Sequence, residues 1–88
     1  MFQNYPNPIN PSTTITFAVP EASEVTLAIY NLRGQLIQTL VAGAVTAGRH
    51  NVVWDGTNFR GAKVASGIYL YKLQAKDFVT ARKLVFTK

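Results

Sequence analysis

Short runs of alternating apolar and polar residues, each ended by glycine, proline or asparagine, constrain the fold of this 88-residue chain more than any other feature. An alternation of this kind puts every second side chain on the same face of an extended strand. Six to seven short strands at near-regular spacing, without a convincing helical period, are typical of a sandwich or a barrel. The clearest predicted strands span residues 13–19, 24–31, 35–41, 49–54, 68–75 and 78–87.

Proline and asparagine dominate the start of the chain, and turn-forming residues separate the later strands. Proline removes a backbone donor and holds the preceding residue extended, so residues 1–12 are predicted to form a lead-in rather than a helix. A turn is expected at Asn31–Gly34 and the longest loop at Asp55–Gly61. We therefore expect a single domain over residues 1–88, with the folded body over 13–88.

Aromatic side chains in the strands are expected to fill the core. Trp54 is the expected central core residue, because it is the largest apolar side chain and ends a predicted strand. Alternation puts Tyr69, Tyr71 and Leu73 on one face, which favours packing against the indole. In an alternative interpretation, tyrosines including Tyr30 form an exposed platform for single-stranded nucleic acid or sugar.

The charge of the chain is uneven. The net charge is +5, and from residue 60 onward the chain has seven cations and a single acid, Asp77. Such a basic surface could meet nucleic acid, anionic lipid or an acidic protein, or could be a solvated face only. The seven cations are Arg60, Lys63, Lys72, Lys76, Arg82, Lys83 and Lys88.

Membrane insertion and thiol chemistry are not expected. The chain has no cysteine, which excludes disulfides and thiolate ligands. Its apolar runs are far shorter than the roughly 20 residues of a membrane helix. No signal-peptide pattern follows Met1, so we expect an export signal to lie elsewhere and this chain to be a fragment of a longer protein.

Few residues could perform acid–base or metal chemistry. There are four acids and one histidine, and no catalytic pair is evident among them. We expect His50 to be an exposed strand residue, and Asp55 to hold a turn rather than a calcium ion, because the spacing of a calcium-binding loop is missing. The sequence therefore predicts a protein that is not an enzyme, has no cofactor and acts by presenting a surface.

Five short motifs occur in register along the chain. They are Asn4–Ile15, Ile29–Gly34, Trp54–Gly56, the segment from Gly61 to Tyr69, and Arg82–Leu84. Together they resemble the C-terminal sorting domain of the type IX (Por) secretion system. The block from Trp-Asp-Gly to Ser-Gly-Xaa-Tyr also resembles the immunoglobulin-like domain of flagellar hook-capping proteins. Ile9 and Asn31 stand where the sorting family more often has Phe and Asp.

This resemblance implies an all-β, immunoglobulin-like antiparallel sandwich that serves as a non-catalytic sorting signal. The implied route is export through the periplasm and the outer-membrane translocon to the cell surface or the extracellular space. The implied partners are translocon and shuttle proteins and a sortase-like cysteine peptidase that cuts upstream of Met1, with neither nucleic acid nor membrane insertion involved. The residues that the resemblance assigns to partner recognition are Pro8, Gly61, Val64, Gly67, Lys83, Leu84, Val85 and Lys88.

Two other functions remain open at this point. One is an accessory module that binds carbohydrate or protein, which an exposed aromatic strip would favour. The other is a structural assembly domain like that of hook-capping proteins, in which sandwiches pack against one another. Weak self-association through an open edge strand is compatible with either function.

Overall fold

A computed structural model of the chain describes residues 12–87. These residues form six antiparallel strands in two sheets and no helix, which confirms the predicted all-β sandwich. Accordingly, no helix within residues 12–87 is long and apolar enough to cross a membrane. The strands are β1 (Thr13–Val19), β2 (Ser23–Tyr30), β3 (Leu36–Val45), β4 (Gly48–Trp54), β5 (Gly67–Gln74) and β6 (Val79–Phe86).

The two sheets differ in width. One has two strands in the order β1-β4, and the other has four in the order β3-β2-β5-β6. Hairpins join β2 to β3 and β5 to β6, whereas β1 pairs with β4 and β2 with β5 across long stretches of sequence. The narrow sheet therefore cannot cover the whole inner face of the wide one.

The core lies between the sheets, where the alternating apolar residues meet. Trp54 is 1% exposed, and its ring contacts Tyr69 edge-on at 5.3 Å and Phe86 at 4.9 Å between ring centroids. Each fully buried large side chain contributes roughly 1.5–3 kcal/mol. This confirms the predicted position of the tryptophan. The other buried members of the core are Ile15, Phe17, Val19, Val25, Leu27, Ile29 and Leu73.

The third strand is longer than the sequence predicted. We expected a strand over 35–41 followed by a turn-rich stretch, but β3 continues to Val45. Two irregularities in the β2–β3 register, at Leu27/Ala28 and at Ile29/Tyr30, insert an extra β3 residue each time. Both irregularities lie within the predicted segment, and the missed residues 42–45 include Ala42, Gly43 and Ala44, which are poor strand formers.

Candidate functional site

An exposed apolar patch lies on the outer face of the four-stranded sheet. Tyr30 pairs with Leu36 on one side and with Leu70 on the other, and Ile68 pairs with Val85 at the neighbouring outward position. Strand alternation turns these side chains away from the core. We call these five residues the outer patch.

The outer patch is accessible to a partner. Leu36 is 43% exposed, Ile68 46% and Val85 68%, while Tyr30 and Leu70 are half-buried. Single exposed apolar residues are ordinary on protein surfaces, whereas a group of neighbouring ones is a candidate interaction surface. The patch is therefore the strongest candidate for a binding site in the described part of the chain.

Cations flank the outer patch. Lys83 pairs with Leu70, and the Lys72 ammonium lies 5.2 Å from the centre of the Tyr30 ring, a distance typical of a cation–π contact. Glu24 is the one acid on this face within the described strands, and it lies six residues along β2 from Tyr30, roughly 20 Å away. The electrostatic potential around the patch is therefore positive.

The loop between β4 and β5 covers the end of the sandwich at which the outer patch lies. The Phe59 N–H donates to the Ile37 carbonyl of β3 at 2.8 Å, and the Gln38 side-chain amide donates to the Asn58 carbonyl at 2.9 Å. The Trp54 indole N–H donates to the Thr57 carbonyl at 2.9 Å. Hydrogen bonds to β3 and to the buried Trp54 therefore hold the loop in place.

Asp55 holds the first turn of this loop, as the sequence predicted. Its Oδ1 accepts hydrogen bonds from the Thr57 hydroxyl at 2.6 Å and the Thr57 N–H at 3.1 Å. These bonds, the hydroxyl first, lower the pKa of Asp55 below its ordinary value, and nearby Lys63 adds to the effect. The Asp55 carboxylate therefore stabilises the turn at the start of the loop.

The structure separates the residues predicted for recognition. Val85 belongs to the outer patch and Lys83 flanks it, but Leu84 points inward and packs against the core. Gly61 lies exposed in the loop between β4 and β5. Val64 packs half-buried against the core, Gly67 begins β5 opposite Phe86, and Pro8 and Lys88 lie outside the described residues.

Sequence reasoning considered Tyr30 as an exposed residue, but it missed Leu36, Ile68 and Leu70 as its surface neighbours. A signal was present in β5, where Ile68 and Leu70 occupy outward positions between the inward Tyr69 and Tyr71. A strand with one solvated face should carry polar residues there. Apolar residues on both faces of β5 indicate that its outward face, too, is a surface for contact with another protein.

His50 has a structural role. Its ring stacks on Phe17 at 5.3 Å, and Nε2 lies 2.7 Å from the Thr46 carbonyl. It is half-buried rather than exposed, because it covers the end of the core. Within residues 12–87, no group of three or more His, Cys, Asp or Glu side chains could hold a metal ion.

The two sheets, their mainly apolar core and the exposed outer patch define an immunoglobulin-like sandwich domain. The chain belongs to the FlgD Ig-like domain family, whose model matches residues 9–77. The matched segment includes β1 to β5 and the β4–β5 loop, and it ends before β6.

Individual relatives come from flagellar systems. The basal-body rod modification protein FlgD of Escherichia coli K12 is 33% identical over 69 residues, which cover 75% of this chain and 30% of the relative. The chain therefore spans less than a third of that protein. The names of the relatives describe rod modification and hook capping, and none describes a reaction.

Two solved structures have the same fold. FlgD from P. aeruginosa superimposes with a TM-score of 0.68 at 21% identity, over 85% of this chain and 58% of that one. FlgD from Xanthomonas campestris, described in connection with the hook capping essential for flagellar assembly, gives 0.67 at 27% identity, over 88% of this chain and 56% of that one.

The predicted type IX sorting function is wrong. The family and the relatives that match are flagellar, so the predicted translocon, shuttle and sortase-like partners and the route to the cell surface are wrong as well. The error has a physical cause. Trp54, Gly56 and Tyr69, which carry the shared motif, are buried core or turn residues, and such residues report the fold rather than the partner.

Proposed function

We propose that this domain is a non-catalytic assembly module of a flagellar hook-capping type protein, and that its outer patch contacts a protein subunit. The family match over residues 9–77 carries the proposal. It supports the structural assembly alternative that the sequence left open.

The chemistry of the outer patch is consistent with this function. Ile68, Val85 and Leu36 would lose exposed apolar area on contact, worth about 25 cal/mol for each Å² removed from water. The rigid sheet beneath them keeps the entropic cost of binding low. Lys72 and Lys83 at the margin favour a partner with acidic residues around its apolar contact.

An exposed aromatic strip, which would favour a carbohydrate-binding module, is not found on the described surface. The exposed large apolar residues of the described chain include only one aromatic residue, Phe59. Tyr69 and Tyr71 lie on the inner side of β5, and Tyr69 is buried while Tyr71 is half-buried. The surface is therefore better suited to protein than to sugar.

The test is made in the organism that encodes this chain, with the full-length gene carrying Ile68→Lys and Val85→Lys together. The matched control is Val53→Lys, because Val53 is 59% exposed on the other sheet. We expect the patch variant to lose hooks in electron micrographs and to lose swimming motility, and the control to keep both. Circular dichroism of the purified domains checks that both variants fold.

Two results contradict the proposal. One is normal hook assembly after deletion of the segment that encodes residues 9–77. The other is a host that builds no hooks with the gene intact.

A further inference from the structure

The first strand has an unpaired backbone edge. β1 pairs only with β4, so every second residue of β1 points its N–H and C=O groups away from its partner. No other strand among the described residues forms a ladder with this edge. An open edge of this kind can accept a further strand.

A groove runs beside this edge, above the inner face of β6. The narrow sheet leaves this part of the wide sheet uncovered, and the resulting groove has a volume of about 320 Å³. Apolar side chains from both sheets line it, with Phe17 from β1, Tyr71 and Leu73 from β5, and Phe78 just before β6. An extended segment paired with β1 would place every second side chain against these residues.

Arg82 gives the groove its charge. Its side chain lines the groove on the inner side of β6, and no carboxylate lines the groove with it. Within the described chain Arg82 has no ion pair, although a guanidinium can bind a carboxylate through two hydrogen bonds. An acidic residue in the added segment would supply this partner.

We propose that the groove between β1 and β6 accepts an extended segment of a partner protein as a third strand of the two-stranded sheet, with an acidic side chain beside Arg82. The backbone edge of β1 supplies affinity, and the apolar floor and Arg82 supply selectivity. This site is on the inner side of β6, opposite the outer patch, and the proposal does not depend on the proposed function.

The test uses the 88-residue chain labelled with ¹⁵N and a seven-residue probe peptide of alternating valine and threonine. One of the four inward positions of the probe carries aspartate in place of valine, and a second peptide carries lysine there. We expect the aspartate peptide to shift the amide signals of β1 and β6 and to bind about tenfold tighter than the lysine peptide.

Charge reversal at one residue makes the test specific. Arg82→Glu should invert the preference between the two peptides. Lys83→Glu is the matched control, because Lys83 is the next residue of the same strand and points to the other face. It should leave the preference unchanged. N-methylation of alternate peptide amides in two registers should abolish binding in one register only, because only one set of amides pairs with β1.

Several outcomes overturn the proposal. These are no binding of either peptide at millimolar concentration, equal binding of both, or signal shifts confined to β3. A concentration-dependent dimer with shifts in β1 and no peptide binding assigns the groove to a second copy. Binding that appears only after removal of residues 1–11 assigns it to the chain's own start.

Discussion

Gly56 occupies a position that no other residue type can fill. Its φ of 79° lies in the left-handed region, and a Cβ placed there would overlap the ring of Phe86. The ring is 2% exposed and lies against Trp54, so it has little room to move. This one contact joins the loop after β4 to the end of β6.

Gly56→Ala should therefore destabilise the domain by about 3 kcal/mol or more, through backbone strain and overpacking together. Gly61→Ala is the matched control. It has nearly the same φ, 82°, but no atom within 4 Å of the added Cβ, so it should cost only about 1–2 kcal/mol. Urea unfolding followed by tryptophan fluorescence measures both. Equal losses would mean that the Phe86 contact is unimportant.

Asp55 should make the stability depend on pH. Its pKa is lower in the folded chain than in the unfolded one, so its contribution is present above the unfolded pKa and is lost as the pH falls through the folded pKa. Thr57→Val removes the hydroxyl that lowers this pKa most, and should raise it toward the ordinary value of 3.8. Carboxyl-detected NMR titration measures the pKa in both proteins. An unchanged pKa in Thr57→Val would show that the hydroxyl has no such effect.

For single residues, the sequence predicted which side chains form the core better than it predicted which ones form the surface patch. Trp54 and Tyr69 were predicted in the core from size and alternation, and both are buried there. Ile68 and Leu70 were not predicted as part of a surface patch. That patch arises because β3, β2, β5 and β6 lie side by side, and the pairing of distant strands is not visible in a local pattern.

Among the elements, the β4–β5 loop depends on β3 for its position. The Gln38 amide bridges to the backbone carbonyls of Thr57 and Asn58, and the Phe59 N–H reaches the Ile37 carbonyl. These bonds cross between segments that are about 20 residues apart in sequence. They keep the loop closed over the end of the core.

Gln38→Ala should loosen this loop while leaving the strands formed. We expect a loss of about 1–2 kcal/mol in the free energy of unfolding, since two carbonyls lose a donor. Hydrogen exchange should show faster exchange at Phe59, whose amide lies in the same junction. Thr39→Ala is the control, because Thr39 is exposed in the same strand. If the Phe59 amide exchanged at an unchanged rate in Gln38→Ala, the Gln38 side chain would not hold the loop.

Strand limits were predicted correctly where large apolar residues alternate, and were missed where alanine and glycine form the strand. In β1 the buried residues are every second one from Ile15 to Val19, which is why its limits were predicted correctly. In β3 the residues beyond the predicted end are Ala42, Gly43, Ala44 and Val45. Alanine and glycine are depleted in strands, and this segment is a strand because it pairs with β2, which a local pattern does not show.

For the whole molecule, the order of strand pairing should govern the folding rate. Thr13 pairs with Trp54 and Thr26 with Gln74, so two of the four ladders join residues far apart in sequence. Sandwiches dominated by such pairings fold in milliseconds to seconds. Stopped-flow fluorescence of the single tryptophan should show the main refolding phase in this time range. A microsecond phase carrying the full amplitude would contradict this expectation.

The fold and the function were not equally readable from the sequence. Strand alternation and turn residues predicted the sandwich, because they act through local geometry. The partner was predicted wrongly because the shared motif consists of residues such as Trp54 and Gly56, which any domain of this shape needs. The choice of partner depends on surface residues, and these follow no general sequence pattern.

The separation of β1 from β6 also determines how the domain would respond to tension. These two strands lie in different sheets and share no hydrogen-bonded ladder. A force applied at the two ends would therefore not shear one set of bonds simultaneously. It would instead open the β1–β4 ladder one bond at a time from Thr13, so this sandwich yields to pulling at lower loads than one whose terminal strands are clamped together.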